Sequence, residues 1–302
     1  MMNENPFQAE GQWLKGNTHT HTTVSDGDLS PKDMVEKYRE AGYDFVFITD
    51  HDRLTDVSGL SSGSCLALPG EEVTCDRVKT GGLYHIVALD IKREIPLAHA
   101  RKAQDVLDEI RAQGGEAIIA HPHWSGMVPE DITRLNGYIG LEVFNTSCHY
   151  CIGKGHSSGY WDQLLLLGKN LLGFAADDAH YHFNDLRPND ACGSWIMVKS
   201  KARTKEAIME AIKKGLFYSS NGPAIERIEI RDQTVFADTS PSKIINVIAN
   251  GPKGRSYTAK KGGALTHVEY KISDEKYIRV ECHDGQGGTA WSNTVVMKEP
   301  FS

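Results

Sequence analysis

Phe45-Val46-Phe47-Ile48-Thr49-Asp50-His51-Asp52 is the stretch on which the fold turns. Four apolar residues in a row read as a short strand buried on both faces, and the run stops on residues that carry chemistry. Just upstream, Ser30 and Pro31 offer an N-cap and a first helical residue. They open a helix through Ala41 with Met34, Val35 and Tyr38 on its buried face, and Gly42 ends it. The rhythm then repeats. A helix from about Leu97 to Gln113 closes on Gly114-Gly115, and the strand Ala117–Ala120 leads to His121-Pro122. Gly140–Phe144 leads to Asn145, and Leu171–Ala175 leads to Asp177-Asp178. Nearer the N-terminus, Asn17-Thr18-His19-Thr20-His21-Thr22 puts two histidines two apart at a strand end. Side chains at that spacing share a face, so both imidazoles can reach one metal ion.

From about 13 to 200 the chain thus reads as an α/β domain whose strand ends carry His, Asp and Glu. In a parallel α/β barrel such ends open onto one face, which lets distant residues share a pocket. Ser25-Asp26-Gly27, Gly70-Glu71-Glu72, His85 and Asp178-Ala179-His180 complete the set. Burying so many titratable groups without a metal or other partners would be costly, so the pattern reads as a polynuclear metal site. After a helix from Lys205 to Lys214 the texture changes to strands: Ile225–Ile230, Ile244–Ile248, Val268–Ile272, Tyr277–Val280 and Ser292–Met297. Their Gly, Asp and Asn turns suggest a small antiparallel β-sandwich. The boundary falls in Ser219–Pro223, dividing the chain into 1–222 and 223–302.

Length and charge narrow the function. A chain of 302 residues with net charge −7 has no basic track for a long nucleic acid or an anionic membrane, although a metal cluster can still attract a small anion. No apolar run is long enough to span a bilayer and no secretory leader opens the chain, so the expected location is cytoplasmic. The six cysteines are scattered, and Cys148-His149-Tyr150-Cys151 has no second Cys pair to complete a structural zinc site. They read as reduced thiols. Trp161 and Leu164–Leu167 read as helix core.

The ordered set His19-Thr-His21, Ser25-Asp26-Gly27, Ile48-Thr-Asp-His-Asp52, Pro69-Gly-Glu-Glu72, His85-Ile86, Ala120-His-Pro122 and Asp178-Ala-His180 resembles the PHP (polymerase and histidinol phosphatase) family. More loosely, Ile212–Pro223 and Ala290–Asn293 are similar to stand-alone members with a C-terminal β domain, including a carbaryl-hydrolase-like branch. The resemblance implies a distorted (β/α)7 barrel followed by the small antiparallel β-sandwich. It also implies a metal-dependent phosphoesterase acting on a small phosphomonoester or phosphodiester. The first ion would take His19, His21, Glu72 and Asp178; the second Glu72, His85 and His121; the third Asp26, His51 and His180. Glu71 competes with Glu72 for the bridging place and Asp177 with Asp178, and the family spacing favours Glu72 and Asp178.

The residue types agree. Mixed imidazole and carboxylate donors suit two or three divalent ions of Mn, Zn or Fe. Two such ions can share a hydroxide that is nucleophilic near neutral pH. Asp50 is the better candidate of the pair Asp50 and Asp52 to orient an imidazole. His149 follows the strand ending near Phe144 and is a candidate substrate contact. Arg187 could grip an anionic oxygen by fork geometry, with a plain surface arginine as its alternative. A carboxylic ester or carbamate hydrolase on the same site is the rival reading, and a non-enzymatic metal-stabilised binding module is the third. A homo-oligomer is compatible with the sequence.

Overall fold

The computed structural model describes residues 5–96, 102–182 and 188–296. The first half alternates strands and helices: β1 (Gln12–Asn17), α1 (Pro31–Glu40), β2 (Phe45–Ile48), β3 (Leu66–Arg77), β4 (Leu83–Leu89), α2 (Ala103–Ala112) and β5 (Glu116–Ile119). There follow α3 (Pro129–Thr133), β6 (Gly140–Asn145), α4 (Thr146–Ile152), α5 (Ser158–Leu166), β7 (Leu172–Ala176), β8 (Trp195–Ser200), α6 (Lys205–Lys213) and β9 (Phe217–Ser220). Ser30 caps α1 by accepting from the Asp33 N–H, and Met34, Val35 and Tyr38 are buried beneath it. Residues 97–101, the start of the expected second helix, lie outside the described residues.

Direction in the sheet positions the site. β1, β2 and β3 are parallel neighbours, as are β5, β6 and β7. β4 is inserted antiparallel to both β3 and β5, so the other six strands share one direction. Their C-terminal ends therefore meet at one edge, and the N-terminal end of β4, with His85, meets them there.

The barrel does not close. No ladder joins β7 to β1 among the described residues, because β8 already pairs along the free edge of β1 from Gln12 to Gly16. What links the two ends is the parallel bridge Thr20–Ala179, with His21 N–H donating to Ala179 O and Asp178 N–H to His19 O, both at 2.9 Å. Those two bonds lock the segment carrying His19 and His21 to the one carrying Asp178 and His180.

The remaining strands are β10 (Ile225–Arg231), β11 (Thr234–Ser242), β12 (Ile244–Ala249), β13 (Gly254–Thr258), β14 (Leu265–Lys271), β15 (Tyr277–His283), β16 (Thr289–Ser292) and β17 (Val295–Val296). β10, β11 and β14 form a separate antiparallel sheet. Its facing layer is an extension of the large sheet: β16 pairs with β9, β15 with β16, and β12 with β15. Val235, Ala237, Ile245, Val247, Val280 and Ala290 fill the space between the layers. The sequence reading missed β11, β13 and most of β16, where Thr, Ser, Gly and Asp dilute the apolar alternation.

Helix α5 corrects one assignment. Trp161, Leu164 and Leu165 are buried, but Leu166 is 54% and Leu167 64% exposed. At 3.6 residues per turn Leu166 falls off the buried face, and Leu167 is already the C-cap.

Gly16, on β1, sits under the Phe45 ring, and a Cβ added there would lie 2.0 Å from Phe45 Cζ. Phe45 is fully buried and cannot swing away. Gly16→Ala is therefore expected to lower unfolding free energy by about 1–3 kcal/mol, read by denaturant melts. An unchanged midpoint would show that the ring has room to move.

Candidate metal centre

Glu72 lies on β3 just past the last residue paired with β2, and it is held there by the bridge to His51 and by its N–H donating to Thr49 O. Its buried carboxylate is the hub. Oε2 lies 3.1 Å from His19 Nε2, 3.2 Å from His21 Nε2 and 3.0 Å from His51 Nδ1. Oε1 lies 2.9 Å from His85 Nδ1 and 3.1 Å from His121 Nε2. Asp178 Oδ1 approaches the same region at 2.9 Å from His21 Nε2 and 3.3 Å from His19 Nε2. His180 Nε2 and His51 Nε2 face Asp26 at 3.5 and 3.8 Å.

Three overlapping groups result: His19, His21, Glu72 and Asp178; His51, Glu72 and His85; and His21, Asp26, His51 and His180. His21 and His51 each belong to two of them, a sharing that the residue-by-residue assignment from the sequence does not contain. His121 reaches the hub through Glu72 Oε1.

Charge explains why such a site is strained on its own. Burial alone would raise Glu72, but the surrounding His19, His51, His85 and His121 hold its carboxyl well below the usual range. Burial would raise Asp178 too, and His19 and His21 outweigh it to hold that carboxyl low. Burial opposes a charged His51, yet Glu72 and then Asp26 raise it to about 9. His180 reaches about 9 against the same opposition, through Asp26 and Asp178. His19 is likewise held well above its ordinary value, against burial, by Asp178, Glu72 and Glu142.

Three buried side-chain atoms among the described residues are left over, Glu71 Oε1 outside the cluster and two within it. Glu72 Oε2 and His21 Nδ1 have no hydrogen-bond partner, although ring nitrogens crowd the first. Lone pairs converging without hydrogen-bond geometry are what a cation among them would satisfy, and imidazole with carboxylate is the donor set of a divalent transition metal. The residues fit such ions.

The competing carboxylates separate by what they touch. Asp177 accepts from the Tyr38 and Thr146 hydroxyls and from the N–H groups of Cys192, Gly193 and Ser194, so it knits the loop behind the site. Glu71 turns away and accepts the Ile95 N–H at 2.9 Å. Burial pushes its carboxyl up to about 7. Asp50 corrects a further assignment: it accepts from Thr22, Ser25 and Thr55 rather than from an imidazole. It shapes the turn that carries Asp26.

The imidazole-orienting role falls instead to Glu142, which the sequence reading passed over. Its Oε1 lies 2.7 Å from His19 Nδ1, and its Oε2 accepts the His121 N–H at 2.8 Å. Asn145 Nδ2 donates to Glu142 and to Asp178, while its Oδ1 accepts the Cys148 N–H and caps α4. The available signal was one glutamate inside the apolar run Gly140-Leu-Glu-Val-Phe144.

Above the hub opens a cavity of about 320 Å³, lined also by Trp124, Ser147, Cys148, Tyr150, Cys151 and His182. His149 is not among its lining residues. It is exposed on α4 and packs near Phe144 and His156, because the helical period gives the site-facing positions to Ser147, Cys148 and Cys151. Arg187 lies outside the described residues. No Lys or Arg lines the cavity among those described.

The fold is similar to that of a two-domain protein from Bacteroides vulgatus ATCC 8482 containing a predicted PHP-like metal-dependent phosphoesterase, with a TM-score of 0.54 and 17% identity. The match covers 98% of each chain, so the likeness of fold extends through the C-terminal strands. In sequence, 143 residues are 29% identical to an uncharacterised protein of Methanocaldococcus jannaschii, covering 45% of this chain. The chain spans about half the length of that relative, 54% of it. No family model matches. No helix among the described residues is long and apolar enough to cross a membrane.

Proposed function

We propose that the protein is a metal-dependent hydrolase and that its substrate is a small phosphomonoester or phosphodiester. The observation that carries this is the buried carboxylate of Glu72, both of whose oxygens are faced by imidazoles at 2.9–3.2 Å at the base of an open cavity. Bound divalent ions would supply Lewis acidity toward the ester and activation of water near neutral pH.

The chain's residues would do the rest. Glu72 would be shared between ions, with His19, His21 and Asp178 on one side and His85 and His121 on another. Asp26, His51 and His180 would hold a further ion nearer the mouth. Glu142 fixes which nitrogen of His19 faces the centre, since it engages Nδ1 and leaves Nε2 to the ions. Glu142→Gln is expected to weaken metal affinity by about 10–100-fold, read by competition with a chromogenic chelator. Unchanged affinity would remove Glu142 from this role.

Because His51 and His180 are raised to about 9, both carry a proton near neutral pH in the metal-free protein. Ligation needs the neutral ring, so metal uptake should release about two protons from these rings. Apparent affinity should climb with pH as these rings lose their protons. Calorimetry in buffers of different ionisation enthalpy reads this directly, and buffer-independent heats would contradict it.

The rival reading, hydrolysis of a carboxylic ester or carbamate, draws support from a cavity lined by Trp124 and Tyr150 with no Lys or Arg among the described residues. A carbonyl develops one oxyanion, whereas a phosphomonoester brings several anionic oxygens to neutralise. Parallel assays with phosphate esters and carboxylic esters sharing one leaving group, before and after chelation, decide between them. Chelator-sensitive turnover of the phosphate ester supports the first reading; turnover of the carboxylic ester alone supports the second.

A further inference from the structure

We infer that the mouth of the cavity is a subsite for a planar, uncharged aromatic group carried by the substrate, with Trp124 and Tyr150 as its walls. This rests on the phosphoester reading and narrows it.

Large apolar side chains are exposed at few places among the described residues, and the two aromatic ones, Trp124 at 41% and Tyr150 at 42%, both line this cavity. Neither is loosely placed. The turn His121–Ser125 folds back so that Ser125 N–H donates to His121 O and Ser125 Oγ meets His121 Nδ1 at 3.2 Å. That turn sets the Trp124 ring edge-on to His121, centroids 4.9 Å apart, and 5.8 Å from His85. Trp124 is thus fixed beside two of the imidazoles that face Glu72. Tyr150 rides on α4, whose N-cap Asn145 also donates to Asp178. Trp124 is therefore tied to His121 through the hydrogen bonds of its turn, and Tyr150 is carried on a short helix anchored beside Asp178 at Asn145.

A rigid aromatic wall offers a large apolar contact at little conformational cost, and a flat ring stacks on it in offset or edge-to-face geometry. The charged lining argues against an anionic substituent. Apart from the residues that would hold ions, the described lining holds no Lys or Arg, Asp190 is acidic, and His182 is already paired with Asp28 at 3.1 Å. A second phosphate or a carboxylate on the organic part would find no Lys or Arg beside these walls to neutralise it.

The test is calorimetric binding of phenylphosphonate and methylphosphonate, neither of which can be hydrolysed at its P–C bond, to the full chain loaded with Mn²⁺. Metal content is measured on the same samples. Phenylphosphonate should bind about tenfold tighter or more, as one stacked ring contributes. That preference should fall below about threefold in Trp124→Ala with Tyr150→Ala. A 4-carboxyphenylphosphonate should lose the gain. Equal affinity of the phenyl and methyl compounds in the wild type would overturn the subsite while leaving the phosphoester reading standing. So would a preference that survives both substitutions with metal retained. Binding of neither phosphonate by the metal-loaded protein would remove the phosphoester reading, and the subsite with it.

Discussion

Glu72→Ala is expected to leave the protein unable to hold divalent metal and to lower the proposed hydrolysis by about a thousandfold or more, well beyond the 10–100-fold typical of an outer partner. The size follows from position. One carboxylate faces His19, His21 and His51 through Oε2 and His85 and His121 through Oε1. Its removal takes a donor from two of the candidate groups at once. It also takes from His51 the carboxylate that does most to hold its proton, leaving Asp26 as the nearest counter-charge. Elemental analysis and turnover on the same preparation check this, with circular dichroism to show that the strands persist. A variant that keeps its full metal complement would show that Glu72 is not shared.

Arg279→Ala has the largest expected effect on stability, a loss of about 3–5 kcal/mol. Arg279 is a buried cation on β15, 2% exposed. It donates to both oxygens of Asp162 at 2.8 and 2.9 Å and to Glu281 at 2.8 Å, and its guanidinium lies 4.9 Å from the Trp161 ring centroid. It therefore joins the C-terminal strands to α5, the helix that packs on β6. Truncation leaves the carboxylate of Glu281, 12% exposed, without its main counter-charge and opens a void beside Trp161. Arg279→Lys should recover only part, because an ammonium cannot grip two oxygens of Asp162 in one plane. Urea unfolding of the three proteins tests this. A loss under about 1 kcal/mol for the alanine variant would mean that water or a neighbour replaces the guanidinium.

The clustering of these side chains around Glu72 was largely legible because most of them stand where strands end. His51, His121 and Asp178 each follow a short apolar run, His19 and His21 follow β1, and a shared strand direction is enough to gather them. Glu142 was not legible for the converse reason: it sits inside β6, where a single polar residue in an apolar run gives no clue to its partner. His149 misled because its distance from the strand end is right, while helical rotation on α4 turns its neighbours to the cavity instead. Asp50 misled because adjacency to His51 in sequence says nothing of direction, and three hydroxyls claim it.

The fold shows the same division. Buried strands such as Phe45–Ile48 announce themselves by composition. The reversal of β4 and the pairing of β1 with β8 are matters of which edges meet, and no local pattern encodes that. The continuity of the large sheet from β9 into β16 is of the same kind, since Ser219–Ser220 pairs with Ala290–Trp291 some seventy residues later in the chain.

The most direct measurement is the metal content of protein purified without a metal-affinity tag and exchanged exhaustively into metal-free buffer. Two or three divalent transition-metal ions per chain, lost together in Glu72→Ala, is the expected result. A chain that stays empty after Mn²⁺, Zn²⁺ and Fe²⁺ are each supplied would contradict the reading of the Glu72 hub as a metal centre.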